Sequence, residues 1–180
     1  DLDHDGKITE LDQTWIYDPV PDFTYGFNIY LEYKNFDLTA FFQGVQGVDI
    51  ISDLKKETDI WAGLNIGNLN KGRRLLSAWS VDNPTSDIPA LTLSDNNNEK
   101  RVSTYWVENG SYLKLRTIQL GYNFPQSIAS KLSMQRLRMY VSAQNLFTIK
   151  SSSFTGLDPE NPNYGYPIPL NLTFGLNVTF

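Results

Sequence analysis

The chain has 180 residues and a formal net charge of −5, so it is long enough for a real core and carries no basic footprint for nucleic acid. Cysteine is absent, which removes disulfide staples and thiol chemistry. No run of about 18 apolar residues occurs, so no membrane-spanning helix is expected, but a β-barrel strand needs only about ten alternating residues.

The first twelve residues, DLDHDGKITELD, have the spacing of a calcium loop. Asp1, Asp3 and Asp5 would converge on a hard cation, and Lys7 would offer its backbone carbonyl. Thr9 sits where a direct or water-borne ligand is usual, and Asp12 would close the shell. Gly6 permits the sharp turn and Ile8 anchors the loop. Position twelve is Asp where the pattern has Glu, and this shorter carboxylate weakens the site or favours a smaller ion. The other reading is an Asp/Gly-rich surface turn. His4, the one histidine, lies between ligand positions. The chain opens inside this motif with no leader segment, so a partial or trimmed chain is expected.

Strict alternation begins at Phe23. Phe23, Tyr25, Phe27, Ile29, Leu31 and Tyr33 face one way, and Thr24, Gly26, Asn28, Tyr30, Glu32 and Lys34 the other. After a tight turn near Asn35 the pattern resumes with Phe36, Leu38, Ala40 and Phe42 against Asp37, Thr39, Phe41 and Gln43. This predicts a long hairpin with a very short turn. Within YLKLRTIQLGYNF, Ile118, Leu120, Tyr122 and Phe124 form an apolar row, while Leu113 and Leu115 fall on the opposite parity. RLRMYVSAQNLF sets Leu137, Met139, Val141 and Ala143 against Arg136, Arg138, Tyr140, Ser142 and Gln144. The closing NLTFGLNVTF sets Leu172, Phe174, Leu176, Val178 and Phe180 against Asn171, Thr173, Gly175, Asn177 and Thr179. Five strands of roughly ten residues or more exceed the usual five or six and match the length that spans a bilayer.

The connections alternate between short and long. The turn at Asn35 is minimal and PQSIASKLSMQ is moderate, with Pro125 ending the strand before it. The links over 47–110 and 150–169, and the leading segment, are long and fall on the other side. Outer-membrane barrels sort their loops in this way. The longest link predicts a short helix over 52–64 capped by Ser52 or Asp53, and a second over 71–79. DNPTSDIPAL is irregular because two prolines forbid a continuous helix. Trp61, Trp79, Tyr105, Trp106, Tyr164 and Tyr166 lie in or beside these links and are candidate substrate-binding residues that would stack on a sugar face. The plainer reading is that they pack their own loops or stand in an interfacial aromatic belt.

Catalytic chemistry is scarce, and no catalytic residue is assigned. One histidine rules out most histidine-based triads and multi-histidine zinc sites, and no phosphate-binding glycine loop occurs. Carboxylates are common without a compelling pair, so a glycosidase rests on spacing the sequence does not show. The sequons at Asn109, Asn171 and Asn177 read as ordinary strand and turn residues, because two lie inside the last strand.

PVPDFTYGFNIYLEYKNFDLTAFFQGVQGVDI, NPTSDIPAL, VENGSYLKLRTIQLGYNFP, LRMYVSAQNLFTI and FGLNVTF, in that order, resemble the carboxyl-terminal part of SusC/RagA-type TonB-dependent outer-membrane transporters. The leading DLDHDGKITELD resembles the aspartate-rich segment before those strands. The resemblance implies an all-β fold, the last five antiparallel strands of a twenty-two-stranded barrel with long extracellular loops. It implies a plug and a TonB-contacting segment upstream, and a SusD-like surface lipoprotein as partner. It implies import of oligosaccharides or peptides across the outer membrane of a Gram-negative, Bacteroidetes-type bacterium. Phe180 resembles the terminal aromatic read by the barrel-assembly machinery.

The expected layout follows: an extracellular loop with the calcium-like motif over 1–22, a transmembrane hairpin over 23–46 and a long extracellular loop with short helices over 47–110. Two transmembrane strands with a periplasmic turn occupy 111–147, an extracellular loop 148–169 and the last transmembrane strand 170–180. The rows of Phe27, Leu38 and Phe174 would meet lipid, and Glu32, Arg136, Arg138 and Gln144 the lumen. The rival readings are a soluble calcium-loop β-sandwich that binds carbohydrate, and a secreted enzyme.

Overall fold

A computed structural model of the chain describes residues 2–7, 9–59, 71–92, 101–162 and 165–180. Alternating apolar residues form strands β1 (Phe23–Tyr33) and β2 (Phe36–Gln46), joined at Lys34 and Asn35. Lys34 takes the left-handed conformation, φ 54°, that so short a turn demands. Two short strands, β3 (Asp49–Ile51) and β4 (Val107–Asn109), bracket the longest link. Helix α1 (Asp53–Asp59) follows β3, and the Ser52 hydroxyl accepts the Lys55 amide at 3.2 Å, so Ser52 is its cap. Strand β5 (Tyr112–Asn123), helix α2 (Gln126–Ala129), strand β6 (Arg136–Lys150) and strand β7 (Asn171–Thr179) complete the order.

The long strands form one antiparallel sheet in the order β1-β2-β5-β6-β7, and β3 pairs with β4 in a separate ribbon. Registers align the apolar rows: Leu31 pairs with Leu38, Leu38 with Leu120, Leu120 with Val141, and Val141 with Phe174. One face is therefore apolar across all five strands. Leu31, Leu120, Met139, Phe174 and Leu176 on it are exposed.

The structure alters three local expectations. Leu113 and Leu115 do not lie on the polar face. A β-bulge places Arg116 between Leu115, paired with Phe42, and Thr117, paired with Phe41. The extra residue reverses the parity, so Leu115 and Ile118 share a face. The segment over 71–79 forms a tighter 3-10 turn, Arg73–Ser77, and not an α-helix. The helix over 52–64 is α1 up to Asp59, and the rest of that stretch lies outside the described residues.

Candidate functional site

The polar face of the sheet carries two charged clusters, one at each end. At the long-loop end, β5 points Tyr112, Lys114 and Arg116 from the polar face. Lys114 is fully buried, with its ammonium 2.6 Å from Asp158 and 2.5 Å from Glu160. Tyr112 donates to Glu160 at 2.6 Å, Arg116 donates to the same carboxylate, and Arg116 also donates to Gln43 at 2.9 Å. Burial opposes ionisation of Glu160, but hydrogen bonds from Lys114 and Tyr112 and the charges of Lys114 and Arg116 hold its carboxyl below the usual range. Beside this cluster a cleft of about 470 Å³ is lined by Tyr17, Val48, Ile50, Tyr112, Pro159 and Pro162.

At the short-turn end, Arg138 of β6 grips Asp37 of β2 with two donors, one of them Nε at 2.9 Å. Asn123 donates to the same carboxylate at 3.0 Å, and Arg136 donates to Asn123 at 3.1 Å. Tyr30, Glu32, Asn177 and Thr179 join these residues around a polar hollow of about 340 Å³. A charged side chain belongs on this face, because the other is apolar from edge to edge.

The long links build a small core of their own. Trp106, 1% exposed, is at its centre with Ile51 and Tyr105 against it, and its indole donates to the Arg101 carbonyl at 2.8 Å. Tyr105 stacks edge-on to Trp106 and donates to Asp59 at 2.6 Å, while Arg74 meets Asp59 at 2.7 Å. Burial and the Asp59 hydrogen bond push the Tyr105 phenol above its ordinary range. Trp79 is 45% exposed and Tyr166 95% exposed, and both sit apart from that core. Trp61 and Tyr164 lie outside the described residues. Of the four described candidates, Tyr105 and Trp106 pack together, and Trp79 and Tyr166 stand apart from them.

In the leading loop, Asp3 accepts the Asp5 amide at 3.2 Å and Asp5 accepts the Lys7 amide at 2.8 Å. Gly6 supplies φ 81°. The Asp12 carboxylate accepts the amides of Leu2 and Thr9, each at 2.6 Å, which holds it below the usual carboxylate range. Thr9 accepts the Leu11 amide at 3.2 Å. Asp1 lies outside the described residues, and among those described no three acidic or histidine groups converge as a metal site.

Sequence reasoning missed Lys114, Arg116, Asp158, Glu160, Glu108 and Asp59 as a set. The available signal was the parity break in YLKLRT, where two cations interrupt an apolar strand.

No family model matches the chain. It is 38% identical over 196 residues to TonB-dependent receptor P3 of Formosa agariphila, with all of this chain and 18% of the relative aligned. It is 32% identical over 195 residues to TonB-dependent receptor P26 of the same organism, covering all of this chain and 19% of that one. It is 28% identical over 189 residues to TonB-dependent receptor SusC of Bacteroides thetaiotaomicron, covering all of this chain and 17% of SusC. The chain therefore spans less than a fifth of the length of these relatives. Among solved structures, the RagAB peptide transporter matches with TM-score 0.74 at 30% identity, over 91% of this chain and 18% of that one. The RagAB peptide importer in its open-open and closed-closed states also gives TM-score 0.74 over the same shares, at 30% and 29% identity.

Proposed function

We propose that this chain, which belongs to the SusC/RagA-type TonB-dependent receptor family, forms part of an outer-membrane barrel wall along which oligosaccharides or peptides are imported. The observation that supports it most is the sheet itself. Five long strands in register expose one continuous apolar face and gather charge on the other. An exposed apolar face of that breadth exceeds the patches of ordinary soluble proteins and suits lipid. Outer strands β1 and β7 each leave one edge open within this chain, which closure with further strands of the barrel would satisfy. The soluble β-sandwich is not favoured, because it needs a second broad sheet over the apolar face, and among the described residues the only other sheet is the ribbon β3-β4. The relatives are named receptors and a transporter, which supports a non-enzymatic role.

The same reading supplies the surroundings. The long links face the cell exterior, where a SusD-like lipoprotein covers them, and the TonB complex works from the periplasmic side through segments outside this chain. Among the described candidates, exposed Trp79 and Tyr166 are the aromatic residues open to cargo. We further propose that calcium binds the leading loop, where the turns at Asp3, Asp5 and Gly6 and the closure by Asp12 bring the ends together.

The test uses an antibody against the last strand on fractionated native membranes. A band several-fold heavier than 20.5 kDa, confined to the outer membrane and co-purifying with a lipoprotein, is expected. A soluble band near that mass overturns the reading. For the ion, the purified receptor is melted with calcium and with chelator. A higher melting temperature with calcium, lost in Asp5→Asn, is expected, and identical curves remove calcium from the loop.

A further inference from the structure

We infer that residues 151–162 form a fixed constriction latched onto the polar face by Lys114, so that this ion cluster sets the width of the cargo path. The inference rests on the reading of that face as the lumen.

The segment folds back over the start of β5. One carboxylate oxygen of Glu160 accepts from both Tyr112, the first residue of β5, and Arg116, four residues further along it. The β-bulge makes this reach possible, since the added residue turns Arg116 to the side that carries Gln43 and Glu160. Lys114 then lies wholly beneath the loop, between Asp158 and Glu160. A buried ammonium is tolerated only when paired and hydrogen-bonded, and here the loop supplies both partners.

Independent ties hold the rest of the segment. Thr155 donates its amide at 3.0 Å and its hydroxyl at 2.7 Å to Glu108 of β4, and Lys55 of α1 meets Glu108 at 3.2 Å. Lys150 donates to the Gly156 carbonyl, and Phe154 is buried with the Lys150 ammonium 5.1 Å from its ring. Asp158 and Asn161 close a bridge within the loop. A segment that opens as a lid has few buried ties of this kind.

The test uses the full receptor in intact cells, with all native thiols replaced and Thr117→Cys introduced on the polar face just inside the latch. A small maleimide and one carrying a long polyethylene glycol are added from outside. With Lys114→Met, labelling by the bulky reagent becomes several-fold faster while the small one is unchanged, and Lys114→Arg restores the slow bulky rate. An unchanged bulky rate in folded Lys114→Met receptor overturns the latch. Where Lys114→Met fails to assemble, Glu160→Gln takes its place with the same expectation. If the small reagent fails to label Thr117→Cys at all, no open path runs past the latch and the inference fails, while the transporter reading is judged separately by the membrane fractionation above.

Discussion

Asp37 and Arg138, 101 residues apart in sequence, join β2 to β6 by a two-pronged ion pair that passes over Gly121 of the intervening strand β5. A Cβ at position 121 would collide with the Asp37 carboxylate and the Arg138 guanidinium. The pair therefore needs glycine beneath it, and each charge needs the other because both are largely buried.

Gly121→Ala should part this pair and destabilise the barrel by about 1–3 kcal/mol, the cost of leaving buried polar groups imperfectly satisfied. The measurement is the temperature at which the folded receptor unfolds on heat-modifiability gels. An unshifted temperature would mean that the two side chains move aside freely.

The two faces of β7 should respond oppositely to charge. Phe174→Arg places a cation on the apolar row and should cost about 2–4 kcal/mol at mid-membrane depth. Thr173→Arg, on the polar face opposite Ser142, should be close to neutral. Denaturant unfolding in lipid vesicles compares them, and equal losses at both positions would contradict the assignment of faces.

Glu160 gives the loop an acid limit. Its carboxyl titrates below the ordinary value near 4.5 in the folded chain, so its contribution to stability is complete above that value and is lost as pH falls through the depressed one. Hydrogen exchange of the amides over 154–161 should stay slow at pH 6 and quicken only in acid below about 4.5. Glu160→Gln should remove that pH dependence while Glu57→Gln, on α1, leaves it intact.

Tyr105 gives the longest link an alkaline limit. Its phenol titrates above the ordinary value of 10.0, so the stability it lends is present below that value and is lost as pH rises through the raised one. Tyr105→Phe removes the donor to Asp59 and should cost about 1–3 kcal/mol in local stability, because Asp59 is buried. Protease resistance of the 47–110 link reports it. Resistance equal to the parent protein would show that Arg74 and the Thr58 hydroxyl satisfy Asp59 without it.

The alternation of Leu31, Leu38, Leu120, Val141 and Phe174 fixed the strands, their faces and their order of connection, because a period of two sends neighbouring side chains to opposite sides whatever lies beyond. It also made the length of the links and the turn at Asn35 legible. The parity break at Leu115 was legible as an anomaly, but only pairing against both Phe41 and Phe42 shows it to be a bulge. The partners within the ion clusters could not be read from that alternation. Lys114 finds Asp158 44 residues away and Asp37 finds Arg138 101 residues away, and such encounters depend on register and on how a loop returns. Local spacing carries no information about either, so the charged face became a site only in the tertiary structure.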